Sequence, residues 1–93
     1  MTASQSATFE IGNTKGLHAR AAAKLAKLAG SFRSQILLSS PTERDVNAKS
    51  IMGVLLLVAA KGTLVHVAAT GDDAAEAIEA IGSLFASGFG ELP

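Results

Sequence analysis

The chain is expected to fold as an α+β open sandwich, a four-stranded sheet with three helices covering one face. Two observations predict this. Segments whose apolar residues alternate every second position interleave with segments of three- and four-residue period, in the order strand, helix, strand, strand, helix, strand, helix. The composition, 48% hydrophobic and 17% charged over 93 residues, is that of a packed globule with room for one core, so residues 1–93 read as a single domain.

Ala7, Phe9 and Ile11 alternate with Thr8 and Glu10, which predicts a strand over 7–11. The turn-forming loop Gly12-Asn13-Thr14-Lys15-Gly16 leads into residues 19–29, built only from Ala, Leu, Lys and Arg, the strongest helix formers. Ala21, Leu25, Leu28 and Phe32 form its apolar face, Arg20, Lys24 and Lys27 its wet face, and Gly30 its stop. Residues 34–39 carry Ile36 and Leu38 as a strand, and Ser40-Pro41-Thr42-Glu43 turns the chain into a short strand over 45–47, forming a hairpin. The run 50–60 suits either a buried strand or a helix; Asn47 and Ser50 as caps and Lys61-Gly62 as a stop favour a short helix. Residues 63–69 alternate with Val65, Val67 and Ala69 inward. Asp73 and Glu76 then form a capping box for a last helix, with Ile78, Ile81 and Phe85 on the core and Gly88 at its end. The core is therefore placed at about 7–88, with 89–93 as a fraying tail.

Eight basic residues balance eight acidic ones, which removes the global field used by nucleic-acid and membrane-surface binders. Phe9, Phe32 and Phe85 are too sparse and inward for a base-stacking platform, so neither nucleic acid nor membrane is expected as a partner. With no cysteine there is no disulfide or thiolate site. His18 and His66 alone are too few for a transition metal, His66 reads as an outward strand residue, and no Walker or dinucleotide pattern is present, so no metal or cofactor is called for. The first seven residues lack a signal pattern, and the apolar run 51–60 is about half the roughly 20 residues of a membrane span, so the expected location is cytoplasmic.

His18 lies where the glycine-rich loop meets the first helix, so the unpaired N–H groups and positive dipole end of that helix converge near a ring that can act as nucleophile or base. Arg20 follows in the same turn. Imidazole, helix N-terminus and guanidinium together suit a phosphoryl group. Lys15, Arg20, Lys24, Lys27 and Arg33 fall in a stretch with no acidic residue, while Asp72, Asp73, Glu76 and Glu79 hold the balancing charge, which points to an acidic partner surface near His18. Taken singly, the basic face is accounted for equally by ordinary solvation, and a lone histidine before a helix is more often a cap or a surface residue.

Gly16-Leu17-His18-Ala19-Arg20 followed by Ala22 resembles the active-site motif of the HPr family, the histidine-containing phosphocarriers of the phosphoenolpyruvate-dependent phosphotransferase system. Ala48-Lys49-Ser50-Ile51-Met52-Gly53-Val54 resembles the segment around that family's regulatory serine, and Lys61-Gly62-Thr63 and Gly71 fall where the family has its last hairpin and turn. The resemblance covers about 7–88 and implies a βαββαβα open-faced sandwich on an antiparallel sheet. It implies a carrier and not an enzyme: enzyme I delivers phosphate to Nδ1 of His18, Arg20 helps hold its oxygens, and an enzyme IIA-type acceptor receives it. It further implies a monomer, and Ser50 as the target of HPr kinase/phosphorylase. Leu17, Lys24, Lys27, Lys49, Ile51, Met52 and Leu55 are the candidate docking residues, Leu55 being equally compatible with the core.

Where most members of the family have proline after the arginine, this chain has Ala21, which restores a first-turn N–H and gives up a pre-set φ. The ending Leu84-Phe85-Ala86-Ser87-Gly88-Phe89 looks more like the nitrogen-related, regulatory branch. Two other readings stand beside the carrier. One is a purely regulatory binding protein whose Ser50 and His18 phosphorylation state signals to partners; the other, more remote, is a hydrolase with His18 as general base.

Overall fold

In the computed structural model, which describes residues 3–91, the elements follow in the order β1 (Ser4–Glu10), α1 (Ala19–Gly30), β2 (Gln35–Ser39), β3 (Val46–Asn47), α2 (Ile51–Leu55), β4 (Leu64–Thr70) and α3 (Ala74–Ala86), with a final 3-10 turn over Gly88–Gly90. The four strands form one antiparallel sheet in the order β1-β4-β2-β3. Strand β4 carries the alternation that makes it central: Val65, Val67 and Ala69 are fully buried, and it pairs Phe9 with Val65 on one side and Leu38 with Val67 on the other. Ile36 and Leu38 of β2 point to the same buried face.

That face is covered by the helices. α3 packs on β1 and β4, and α1 packs against both α2 and α3. Ala21, Ala22, Leu25 and Ala29 form the buried stripe of α1, and Ala74, Ala77, Ile81 and Phe85 that of α3, the spacing that three- and four-residue steps require. Leu28, Phe32 and Ile78 are half-buried at the edge of the same core. Among the described residues no helix is long and apolar enough to cross a membrane.

Four local expectations are corrected by packing. The strand expected over 7–11 starts at Ser4, because β4 offers Thr70 as a partner for it. The helix expected over 50–60 ends at Leu55; Leu57 and Ala59 are then buried by an irregular segment whose Ala59 carbonyl accepts a hydrogen bond from Leu17 N at 2.9 Å. That close approach requires glycine at 16, whose φ is 66° and where a Cβ would lie 2.5 Å from the Ala59 oxygen. The capping box at α3 does not form. Asp73 is the cap residue without a side-chain cap bond, and its carboxylate instead accepts from Arg33 N, Ser34 N and Ser34 Oγ at 2.8, 2.9 and 2.6 Å, tying the loop that enters β2 to the start of α3. Fourth, the tail expected from 89 onward begins in the core: Phe89 is fully buried and packs against Phe85 with tilted rings, centroids 5.0 Å apart. Residues 92–93 lie outside the described part.

Candidate phosphoryl-acceptor site

The loop residues 12–16 deliver the chain to His18, the N-cap of α1, in an extended conformation (φ −76°, ψ −179°). The first helical bond is Ala22 N to His18 O at 2.8 Å, so the N–H groups of Ala19, Arg20 and Ala21 precede the helical ladder. With Ala21 in place of proline all three can donate to an anion, while the Ala21 methyl is fully buried.

The His18 side chain makes no cap bond to its own helix. Its Nε2 instead lies 2.7 Å and 2.9 Å from the two carboxylate oxygens of Glu91, with 28% of the histidine side chain and 17% of the glutamate side chain exposed. Glu91 Oε1 also accepts from Asn13 Nδ2 at 3.1 Å, and the same amide nitrogen donates to Gly16 O at 2.8 Å. Partial burial opposes the charged form of Glu91. The hydrogen bonds from His18 and Asn13 and the nearby charges of His18 and Lys24 outweigh it, holding the carboxyl below the ordinary glutamate range.

Arg20 is exposed and shares an open cleft of about 350 Å³ with Thr14, Lys15, Gly90 and Glu91. His18 and Lys15 border a second hollow of about 230 Å³, lined also by Leu17, Val58, Ala59 and Ala60. Lys15 is common to both. The imidazole therefore sits at the head of a helix whose first-turn N–H groups precede its ladder, with Glu91 on its Nε2 and with Lys15 and Arg20 in the cleft that Glu91 also lines, so positive groups for an anion lie close by. Among the described residues no group of three or more His, Cys, Asp or Glu is placed to hold a metal ion.

Ser50 occupies the N-cap of α2, its Oγ accepting from Gly53 N at 3.1 Å. Since α1 and α2 pack together, the His18 and Ser50 helices share one region of the surface. Ile51 and Met52 are exposed there, Met52 by 72%, together with Leu56 and Val58, which the sequence reading did not single out. Leu55 is half-buried against the core. Leu17 is corrected from docking surface to core, being 6% exposed beneath the loop. Lys27 is exposed on the wet face, whereas Lys24 donates to Phe89 O at 2.7 Å and Lys49 to Phe32 O at 2.8 Å, so both stems are partly committed within the fold. His66 is exposed on β4, beside Thr8 Oγ1 at 3.2 Å. Asn13 and Glu91 are the site residues that sequence reasoning missed: the first read as a turn former, the second as tail. The one available signal was Phe89, a large apolar residue between two glycines just past a helix stop.

The family model described as "PTS HPr component phosphorylation site" matches residues 5–87. The chain is 51% identical over 81 residues to phosphocarrier protein HPr of Cupriavidus necator, covering 87% of this chain and 90% of that protein. It is 42% identical over 84 residues to phosphocarrier protein NPr of Escherichia coli K12, covering 90% and 93%. The crystal structure of HPr-C-His from Thermoanaerobacter tengcongensis superposes with a TM-score of 0.90 at 45% identity, covering 96% of this chain and 99% of that one. A family match over most of its length, close relatives that are phosphocarriers and the same fold place this chain in the HPr family: it is a phosphocarrier of the phosphotransferase system and not a catalyst.

Proposed function

We propose that His18 is the phosphoryl acceptor, taking phosphate from phospho-enzyme I, ultimately from phosphoenolpyruvate, and passing it to an enzyme IIA-type acceptor. The observation that carries this reading is the position of His18 as a partly exposed N-cap without a cap bond, heading a helix whose first three N–H groups are outside the helical ladder. Arg20, on the same turn, and Lys15 offer the charge that a bound phosphoryl group needs, and in this reading the partners supply the remaining catalytic groups. Ile51, Met52, Lys27 and, more weakly, Lys24, Lys49 and Leu55 supply the docking surface. The carrier works in the cytoplasm as a monomer.

Ser50 is the proposed regulatory site for HPr kinase/phosphorylase. A phosphate on a helix N-cap suits the helix dipole, yet adds about two negative charges beside the surface that docks acidic partners. The test of the relay is intact mass after incubation with phosphoenolpyruvate and enzyme I. A single acid-labile gain of about 80 Da, absent in His18→Ala, is expected for a phosphoramidate. A His18→Ala chain that still gains the labile group would overturn the assignment.

A further inference from the structure

Three groups at the site lie outside the relay as described: the buried Asn13, the Glu91 carboxylate, and the C-terminal strap that carries it. Asn13 is fully buried, and its amide nitrogen bridges Gly16 O and Glu91 Oε1. The strap is anchored independently of Glu91 by the buried Phe89 ring and by Lys24 Nζ on Phe89 O. Glu91 is thus held from both sides with its two oxygens on Nε2 of His18.

A carboxylate accepts hydrogen bonds and does not donate them. The Glu91 carboxylate offers His18 Nε2 only acceptors, at 2.7 and 2.9 Å, so Nε2 carries a proton, and whenever the ring is neutral its lone pair is on Nδ1. We infer that Glu91 is a positioning residue for the relay: its carboxylate selects the Nε2–H tautomer of His18 and so directs the phosphoryl group to Nδ1. The inference rests on His18 being the acceptor.

The consequence extends through both transfers. On loading, the Nδ1 lone pair forms the N–P bond while the bond from phosphorus to the donor breaks, its electron pair staying with the donor. The ring now carries positive charge spread to Nε2–H, which faces the Glu91 carboxylate. On delivery the N–P bond breaks and its electron pair returns to Nδ1. The proton stays on Nε2 throughout, so the ring departs as neutral imidazole rather than as the far more basic imidazolate. Lys15 and Arg20 line the same cleft as Glu91, so their positive charges offset the repulsion between its carboxylate and an incoming phosphoryl group.

The test uses the full chain and two readouts. In alkaline buffer, ¹⁵N shifts of the His18 ring should show a dominant Nε2–H form in the wild type. Glu91→Gln, whose amide can donate as well as accept, should move the ring toward the other tautomer, and Glu91→Asp should restore part of the preference. Phosphoryl exchange with enzyme I should fall by about tenfold in Glu91→Gln while the unfolding midpoint stays unchanged, the scale of one charge-assisted hydrogen bond lost at a reacting group. Ring shifts or exchange rates identical to wild type would overturn the inference. A wild-type chain that never takes up phosphate would instead overturn the carrier assignment, and the tautomer readout separates the two.

Discussion

Asp73 is a carboxylate whose role follows from where it lands. Three donors from Arg33 and Ser34 surround it, the Ser34 hydroxyl foremost, and lower its pKa from 3.8 to about 2. A depressed folded-state pKa means that the charged form favours the fold, so its contribution is complete above about pH 4 and is lost as pH falls towards 2. Asp73→Asn should therefore lower the melting temperature at pH 7, and the gap to wild type should close between pH 4 and pH 2; a gap independent of pH would rule out an ionic origin. The neighbouring Gly71, at φ 151°, is needed because a Cβ there would lie 2.5 Å from Ser34 Oγ and displace the residue that holds Asp73. The positions of His18, Arg20 and Ser50 at helix starts were legible in the sequence because each depends on a local pattern, a loop-to-helix junction or a cap. The contacts of Asp73, Asn13 and Glu91 were not, since their partners lie 39, 78 and 73 positions away.

At the scale of elements, β4 and α1 follow directly from periodicity, because each buries one face of a regular segment. Helix α2 does not. Five residues are too few to be stable alone, and its length is set by the Ser50 cap and by the need to bury Leu57 and Ala59 just beyond it. Ser50→Ala removes the acceptor of Gly53 N and should cost about 1 kcal/mol by chemical denaturation. Ser50→Asp can still cap, so it should keep most of that stability while weakening complex formation with enzyme I. Equal binding by Ser50→Asp and wild type in a titration would show that charge at this cap does not reach the docking surface.

Across the whole molecule, the C-terminal strap links the core to the site. Phe89 takes a left-handed backbone (φ 58°), unusual for a bulky residue, and its complete burial against Phe85 offsets that strain. Phe89→Ala should destabilise the fold by about 3 kcal/mol in urea. It should also loosen Glu91 and shift the His18 tautomer as Glu91→Gln does; a native midpoint would show that the ring is not part of the core. By itself the sequence determined the α+β class, the order of the elements, the placement of His18 and Arg20 in one helical turn, and the resemblance to a carrier family. All of these reside in contiguous residues whose periods and caps report local geometry. Only the tertiary structure decided that β4 lies between β1 and β2, that Leu17 is core, that Asp73 clasps the loop between α1 and β2 rather than closing a capping box on α3, and that a glutamate from the far end of the chain meets the histidine. Such contacts depend on loop closure around a shared core, and no local pattern encodes where a distant residue will arrive.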